Sequence, residues 1–136
     1  MTEAFETHPP AIRRWHEIAA ARDPAGLDEL LADEIVFVSP VVHTPQRGKP
    51  IGKAYLSAAL AVLGENLRYV GFWRADMSAV LEFVALIDGI EVNGVDIIGW
   101  NAEHRIVSFK VMARPLKGIE VLRAKMAERL EATRRG

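Results

Sequence analysis

At 136 residues the chain is long enough for one domain around a single core and too short for two. Its 17 basic and 18 acidic side chains nearly cancel, which excludes the basic footprint of a nucleic-acid binder. The absence of cysteine removes disulfides, thiol catalysis and thiolate metal sites, and fits a reducing cytoplasm, the location expected here.

The start MTEAFETHPP lacks the basic, apolar and small-residue order of a secretory signal, and the apolar runs are strand-sized and interrupted, so no membrane span is expected. Residues 1–10 read as an N-terminal tail ahead of a single domain over residues 11–136, with Pro9 and Pro10 suited to a first helical turn, where a missing N–H costs nothing. Ile12, Trp15, Ile18 or Ala19, and Arg22 recur at helical spacing and predict a first helix with Trp15 on its buried face. Asp23 before Pro24 is a good N-cap followed by a good first position, and Leu27, Leu30 and Leu31 predict a short second helix ending near Asp33. Residues 34–43, EIVFVSPVVH, predict a strand with Ile35, Phe37, Ser39 and Val41 on one face, bent or at a sheet edge because Pro40 has no N–H to give.

Residues 44–50, with two prolines and Gly48, read as a tight loop. Ile51, Tyr55, Ala58 or Ala59, and Val62 form the stripe of a third helix that Gly64 terminates. Residues 66–76 and 78–88 are both strand-like, and Asp88-Gly89 is a two-residue hairpin turn into Ile90. Within residues 78–88, Ala79, Leu81, Phe83, Ala85 and Ile87 share a face, yet Val80, Val84 and Leu86 make the other face equally apolar, so this sheet needs cover on both sides. After Pro115, Leu116, Ile119, Leu122, Met126 and Leu130 predict an amphipathic last helix.

One charge stands apart from these patterns. In residues 90–115, IEVNGVDIIGWNAEHRIVSFKVMARP, the side chains of Val92, Gly94, Asp96, Ile98 and Trp100 share one strand face. NAEH makes a polar turn, and Val107, Phe109, Val111 and Ala113 share a face of the next strand. Asp96 is then a carboxylate in an apolar row. It is either a satisfied core aspartate, hydrogen-bonded to Ser39, Trp15 or a backbone amide, or an acid/base group in a binding cavity. Burial without a cation would raise its pKa and let it donate a proton near neutral pH. The four histidines show no metal-ligand spacing, and no metal or other cofactor is expected. No glycine-rich phosphate loop and no serine or cysteine nucleophile motif is present.

The order of elements gives an α+β fold, a cone-shaped curved antiparallel sheet wrapped around helices and followed by an amphipathic C-terminal helix. The segments IRRWHEIAAARD, LDELLADEIVFVSPVV, the loop ending in Gly48, and GVDIIGWNAEHRIVSF carry a resemblance over roughly residues 11–114. The chain resembles the nuclear transport factor 2-like (cystatin-like) superfamily, in particular its SnoaL-like polyketide cyclase and ketosteroid isomerase branches. That resemblance implies an apolar small-molecule pocket. In ketosteroid isomerases the position of Ser39 holds an aspartate base, that of Trp15 a tyrosine donor and that of Asp96 a protonated aspartate donor. Only the last matches, so classical isomerase activity is not expected. The SnoaL-like cyclases are similar in keeping an acid/base aspartate on the same late strand.

The expected site is therefore Asp96 as candidate acid/base, in a pocket lined by Trp15, Phe37, Ser39, Val41 and Tyr55 from the first half of the chain. Phe83, Val92, Ile98, Trp100, Phe109 and Val111 complete the lining from the later strands. A hydrophobic carbonyl or polycyclic ligand is expected there, either turned over by metal-free acid/base chemistry of the cyclase, isomerase or dehydratase kind or simply bound. The expected macromolecular partner is a second copy of the chain, because the outer rows at Val80, Val84, Leu86, Val95 and Ile97 are too apolar to face water. Neither nucleic acid nor a membrane is expected as partner.

Overall fold

Helix α1 (Pro10–Ala21) begins where proline costs least, with Pro9 at the N-cap and Pro10 at the first position, and it buries Ile12, Trp15 and Ile18. The structure, a computed structural model, describes residues 8–135, so residues 1–7 of the expected tail lie outside the described residues. Asp23 caps a short 3-10 turn, Pro24–Gly26, by accepting from Ala25 N, and α2 (Leu27–Leu30) follows. Strand β1 (Leu31–Val38) starts earlier than expected, and α2 stops at Leu30 instead of near Asp33. Leu30, Leu31 and Ala32 are all buried, and three consecutive buried positions do not fit one helical stripe. A bulge between Leu31 and Val36 returns the strand to register with its neighbour. The strand ends at Val38, before the Ser39-Pro40 turn, where Ser39 Oγ accepts from Val41 N at 3.1 Å.

Two residues of the expected loop, Gln46–Arg47, form a short strand β2 against β1. Helix α3 (Lys49–Leu63) starts after Gly48, whose φ of 101° favours glycine, and runs into a 3-10 turn, Gly64–Asn66. The meander β3 (Arg68–Arg74), β4 (Ser78–Ile87), β5 (Ile90–Trp100) and β6 (Ile106–Arg114) is antiparallel throughout, and Asp88 and Gly89 turn the β4–β5 hairpin with positive φ. The sheet order is β2-β1-β6-β5-β4-β3. Pairing of β1 with β6 is parallel, so the α+β cone carries a six-stranded mixed sheet.

The core fills the concave side of this sheet. Ile106 pairs with Trp100 across a register shift that leaves Val107 over, so Ile106 rather than Val107 takes the inner position. Helix α4 (Leu116–Arg135) packs on α3 and β5 and buries Leu122 and Met126. Leu116 is 73% exposed, so its apolar stripe begins a turn later than the sequence suggests. Gly118 permits that seat: a Cβ there would stand 3.2 Å from both Glu91 O and Val92 Cγ2. The last helix therefore covers the molecule's own core.

Candidate functional site

Strand β5 alternates as its sequence dictates, and Asp96, 5% exposed, points inward between Val92 and Gly94 on one side and Ile98 and Trp100 on the other. Its cross-strand neighbours are Leu81 on β4 and Val111 on β6. A carboxyl so placed needs a polar partner. The partner is Tyr69, on β3, whose hydroxyl donates to Asp96 Oδ2 at 2.5 Å. Trp15 Nε1–H in turn donates to Tyr69 Oη at 2.9 Å. The three side chains, from α1, β3 and β5, form one directed chain of hydrogen bonds.

A bulge brings Tyr69 into place. Tyr69 pairs with Phe83 and Gly71 with Glu82, which leaves Val70 over, and Tyr69 and Phe72 then both lie on the inner side although they are three residues apart. Strict alternation would have grouped Tyr69 with Trp73, which is 58% exposed. The sequence signal for Tyr69 was thus weak: only its presence on a strand next to the Phe83 row pointed to it.

Electrostatics follow from the burial. Loss of water lifts the Asp96 pKa to about 7, and the Tyr69 hydroxyl, which favours the carboxylate, offsets part of that rise. Among the described residues no cation contributes. Tyr69 is pushed well above the ordinary phenol range, chiefly by burial and then by the Asp96 charge, so it remains a neutral donor. Asp96 Oδ1 has no hydrogen-bond partner among the described residues. The carboxyl can therefore offer a proton or accept one near neutral pH through an oxygen that no described residue occupies.

Asp96 lines a narrow apolar cavity. Trp15, Tyr69, Phe83, Asp96, Phe109 and Val111 line it from α1 and the sheet, and Leu56, Ala59, Leu60 and Leu63 of α3 with Leu67 close the other side. About 30 Å³ remains between them, room for a water molecule and not for an organic ligand. A ligand must move the leucine wall. The fully buried residues of α3 are Gly52, Leu56, Ala58 and Leu60; of the expected stripe Ala58 is among them, Tyr55, Ala59 and Val62 pack half-buried against the core, and Ile51 is 38% exposed. The helix is apolar nearly all round, so its pattern could not pick the buried side.

The remaining expected pocket residues lie elsewhere. Phe37 and Tyr55 meet at 5.6 Å between ring centroids, and Phe37 reaches Phe109 at 6.0 Å, so they back the cavity without lining it. Val92, Ile98 and Trp100 are buried on the face of Asp96 but belong to the packed core. Val41 sits in a separate groove with Tyr55, Arg123 and Met126. Ser39 is buried, holds Val41 N and takes no part in the hydrogen bonding of Asp96. His16 meets the Tyr69 ring edge-on at 5.0 Å, and burial, helped by His8, lowers its pKa to about 4, so it is neutral at physiological pH. Among the described residues no group of His, Asp or Glu side chains could hold a metal ion, and no helix is long and apolar enough to cross a membrane. A wider, open groove of about 450 Å³ between the end of α3, the β4–β5 turn and α4 is flanked by Glu65, Asp88, Lys125 and Arg129 and is remote from the Asp96 chain.

A cone of curved sheet that encloses one carboxyl on a late strand defines a class of protein, and comparisons bear on which one. No family model matches the sequence, and no curated protein matches it significantly. Among solved structures, a steroid delta-isomerase from Pseudomonas aeruginosa is 35% identical with a TM-score of 0.88, and the match covers 93% of both chains. An uncharacterised protein with a cystatin-like fold from Silicibacter pomeroyi is 29% identical with a TM-score of 0.84, over 93% of this chain and 89% of the other. A protein with a ketosteroid isomerase-like fold from Catenulispora acidiphila, 17% identical over 83% of this chain and 91% of the other, shares the fold with a TM-score of 0.64. The chain belongs to the nuclear transport factor 2-like superfamily.

Proposed function

We propose that this protein binds a small, largely apolar molecule bearing a carbonyl or phenol-type oxygen, with that oxygen on Asp96 and the Tyr69 hydroxyl beside it. The observation that carries the reading is a titratable carboxyl with one unshared oxygen in a cavity otherwise lined by hydrocarbon and aromatic rings. Protonated Asp96 can donate to a carbonyl oxygen and stabilise charge developing there; ionised Asp96 can take a proton from an acidic O–H or C–H. Acid/base catalysis by Asp96, of the cyclase, isomerase or dehydratase kind, is the enzymatic form of this reading.

The Pseudomonas aeruginosa relative raises steroid isomerisation as a specific form of it. That reaction moves a proton from carbon to carbon and needs a second group as carrier. Ser39, where the resemblance places that carrier, is occupied with Val41 N and lacks a base of its own. Among the described residues no carboxylate besides Asp96 lines the cavity. This favours acid donation by Asp96, and the same observation supports a second reading, ligand binding without turnover.

The proposal includes a homodimer formed through the outer sheet face, with the cytoplasm as its setting. Trp73, Leu86 and Met112 are exposed there beside half-buried Val80, Val84, Val95 and Ile97, a largely apolar surface interrupted by Glu82, Asn93 and Lys110 that a second copy would cover.

Calorimetric binding of a series of hydrophobic ketones and phenols, with product analysis, tests the function. Wild type is expected to bind members of the series, and Asp96→Asn to keep affinity within about tenfold while losing any conversion, because an amide donates a hydrogen bond but cannot deliver a proton. Binding without conversion by wild type selects the noncatalytic reading. No binding across the series overturns both.

A further inference from the structure

The polarity of the chain Trp15, Tyr69, Asp96 can be counted proton by proton. Indole Nε1 carries one hydrogen and offers no acceptor lone pair, so at 2.9 Å from Tyr69 Oη it can only donate. The hydroxyl of Tyr69 has a single hydrogen, and with Trp15 on its acceptor side that hydrogen goes to Asp96 Oδ2, 2.5 Å away. Oδ2 is then an acceptor in both ionisation states, and a proton on the carboxyl resides on Oδ1. We propose that Trp15 is a positioning residue: by filling the acceptor side of Tyr69 it fixes the direction of the chain and holds the exchangeable proton of Asp96 on Oδ1, the oxygen left for a ligand.

Tyr69 apart, the residues packed on the carboxyl itself are apolar. Strands β4 and β6 bring Leu81, Phe83, Phe109 and Val111 to the carboxyl, and α3 brings leucines. Among the described residues the titratable groups around the chain are Tyr69 itself, His16 of α1, which packs edge-on against the Tyr69 ring, and His8, which stacks 5.6 Å from His16. Trp15 also works on strength. Its N–H lowers the pKa of the phenol against the opposing effects of burial and of Asp96, which makes Tyr69 a better donor to the carboxylate. A tyrosine at position 15, with its own rotatable hydroxyl, would leave the direction open; the donor-only indole closes it. The consequence that a ligand must present an acceptor to protonated Oδ1 rests on the function proposed above. The titration that tests Trp15 does not.

The Asp96 carboxyl carbon is followed by ¹³C NMR against pH in wild type, Trp15→Phe, Tyr69→Phe and the double variant. Trp15→Phe is expected to raise the Asp96 midpoint by about half a unit, since one polarising hydrogen bond is removed from the donor that supports the carboxylate. In the Tyr69→Phe background the same change is expected to do nothing further, because Trp15 acts through that hydroxyl. Equal shifts in both backgrounds, the signature of a ring that only fills space, overturn the proposal, as does no shift in either. Should Trp15→Phe fail to fold, benzothienylalanine at position 15 keeps the bicyclic shape without the N–H, and the same two comparisons decide.

Discussion

Replacing Asp96 by asparagine isolates one ionisation in the middle of the fold. In the unfolded chain this carboxyl titrates near 3.8, and in the folded protein burial moves it to about 7. The difference of about 3 units corresponds to ~4 kcal/mol at 1.36 kcal/mol per unit. The sign follows from proton counting. Below about pH 4 both states hold the proton and the group contributes nothing; between about 4 and 7 only the folded state holds it, so stability falls as pH rises, and above about 7 the loss is complete. His16 runs the other way, because its folded pKa of about 4 lies below the ordinary 6.5 and stability is lost as pH falls through that interval. The wild-type profile mixes the two, whereas the difference between wild type and Asp96→Asn cancels His16. Asparagine can still accept from Tyr69 and needs no charge in the cavity. Urea unfolding at several pH values between about 4.5 and 8.5 should therefore show Asp96→Asn gaining on wild type as pH rises, toward ~4 kcal/mol at the alkaline end. A difference that does not change with pH, or a variant less stable than wild type at pH 8, would refute the reasoning.

Gly94 lies in the same row as Asp96, where a Cβ would press on the Met112 carbonyl and stand 2.6 Å from Phe83 Cζ, so Gly94→Ala should destabilise the fold by about 1–3 kcal/mol in a thermal or urea melt; an unchanged midpoint would contradict the packing. If the outer sheet face joins two copies, sedimentation should give about twice the chain mass for wild type, and Val84→Glu should give monomer by placing an unpaired charge in the contact. A monomeric wild type at micromolar concentration removes the dimer.

Most of the fold was legible because its strands alternate. The β5 row carried Asp96 inward by period two alone, and the β4–β5 turn was written in Asp88-Gly89. What escaped were places where alternation breaks. A bulge at Val70 turned Tyr69 inward, and a second register shift put Ile106 where Val107 was expected. The partner of the key carboxyl was hidden by the first of these. The third helix concealed the cavity's other wall for a different reason: KPIGKAYLSAALAVL is apolar on nearly every side, so which leucines face Asp96 is decided by tertiary packing. Parallel pairing of β1 with β6 joins segments about 70 residues apart, and no local pattern in residues 34–43 encodes it.

The central claim is that an organic ligand places its oxygen on the Asp96 chain. Its most direct test is to add the tightest-binding ketone or phenol at neutral pH while recording the ¹³C resonance of the Asp96 carboxyl and the ¹⁵N–¹H resonance of Trp15 Nε1. Both should shift along one saturation curve that matches the calorimetric affinity, because the ligand contacts Oδ1 and the chain from Asp96 through Tyr69 to Trp15 responds as a unit. Saturation of the protein with neither resonance moved would contradict the assignment of this cavity as the site.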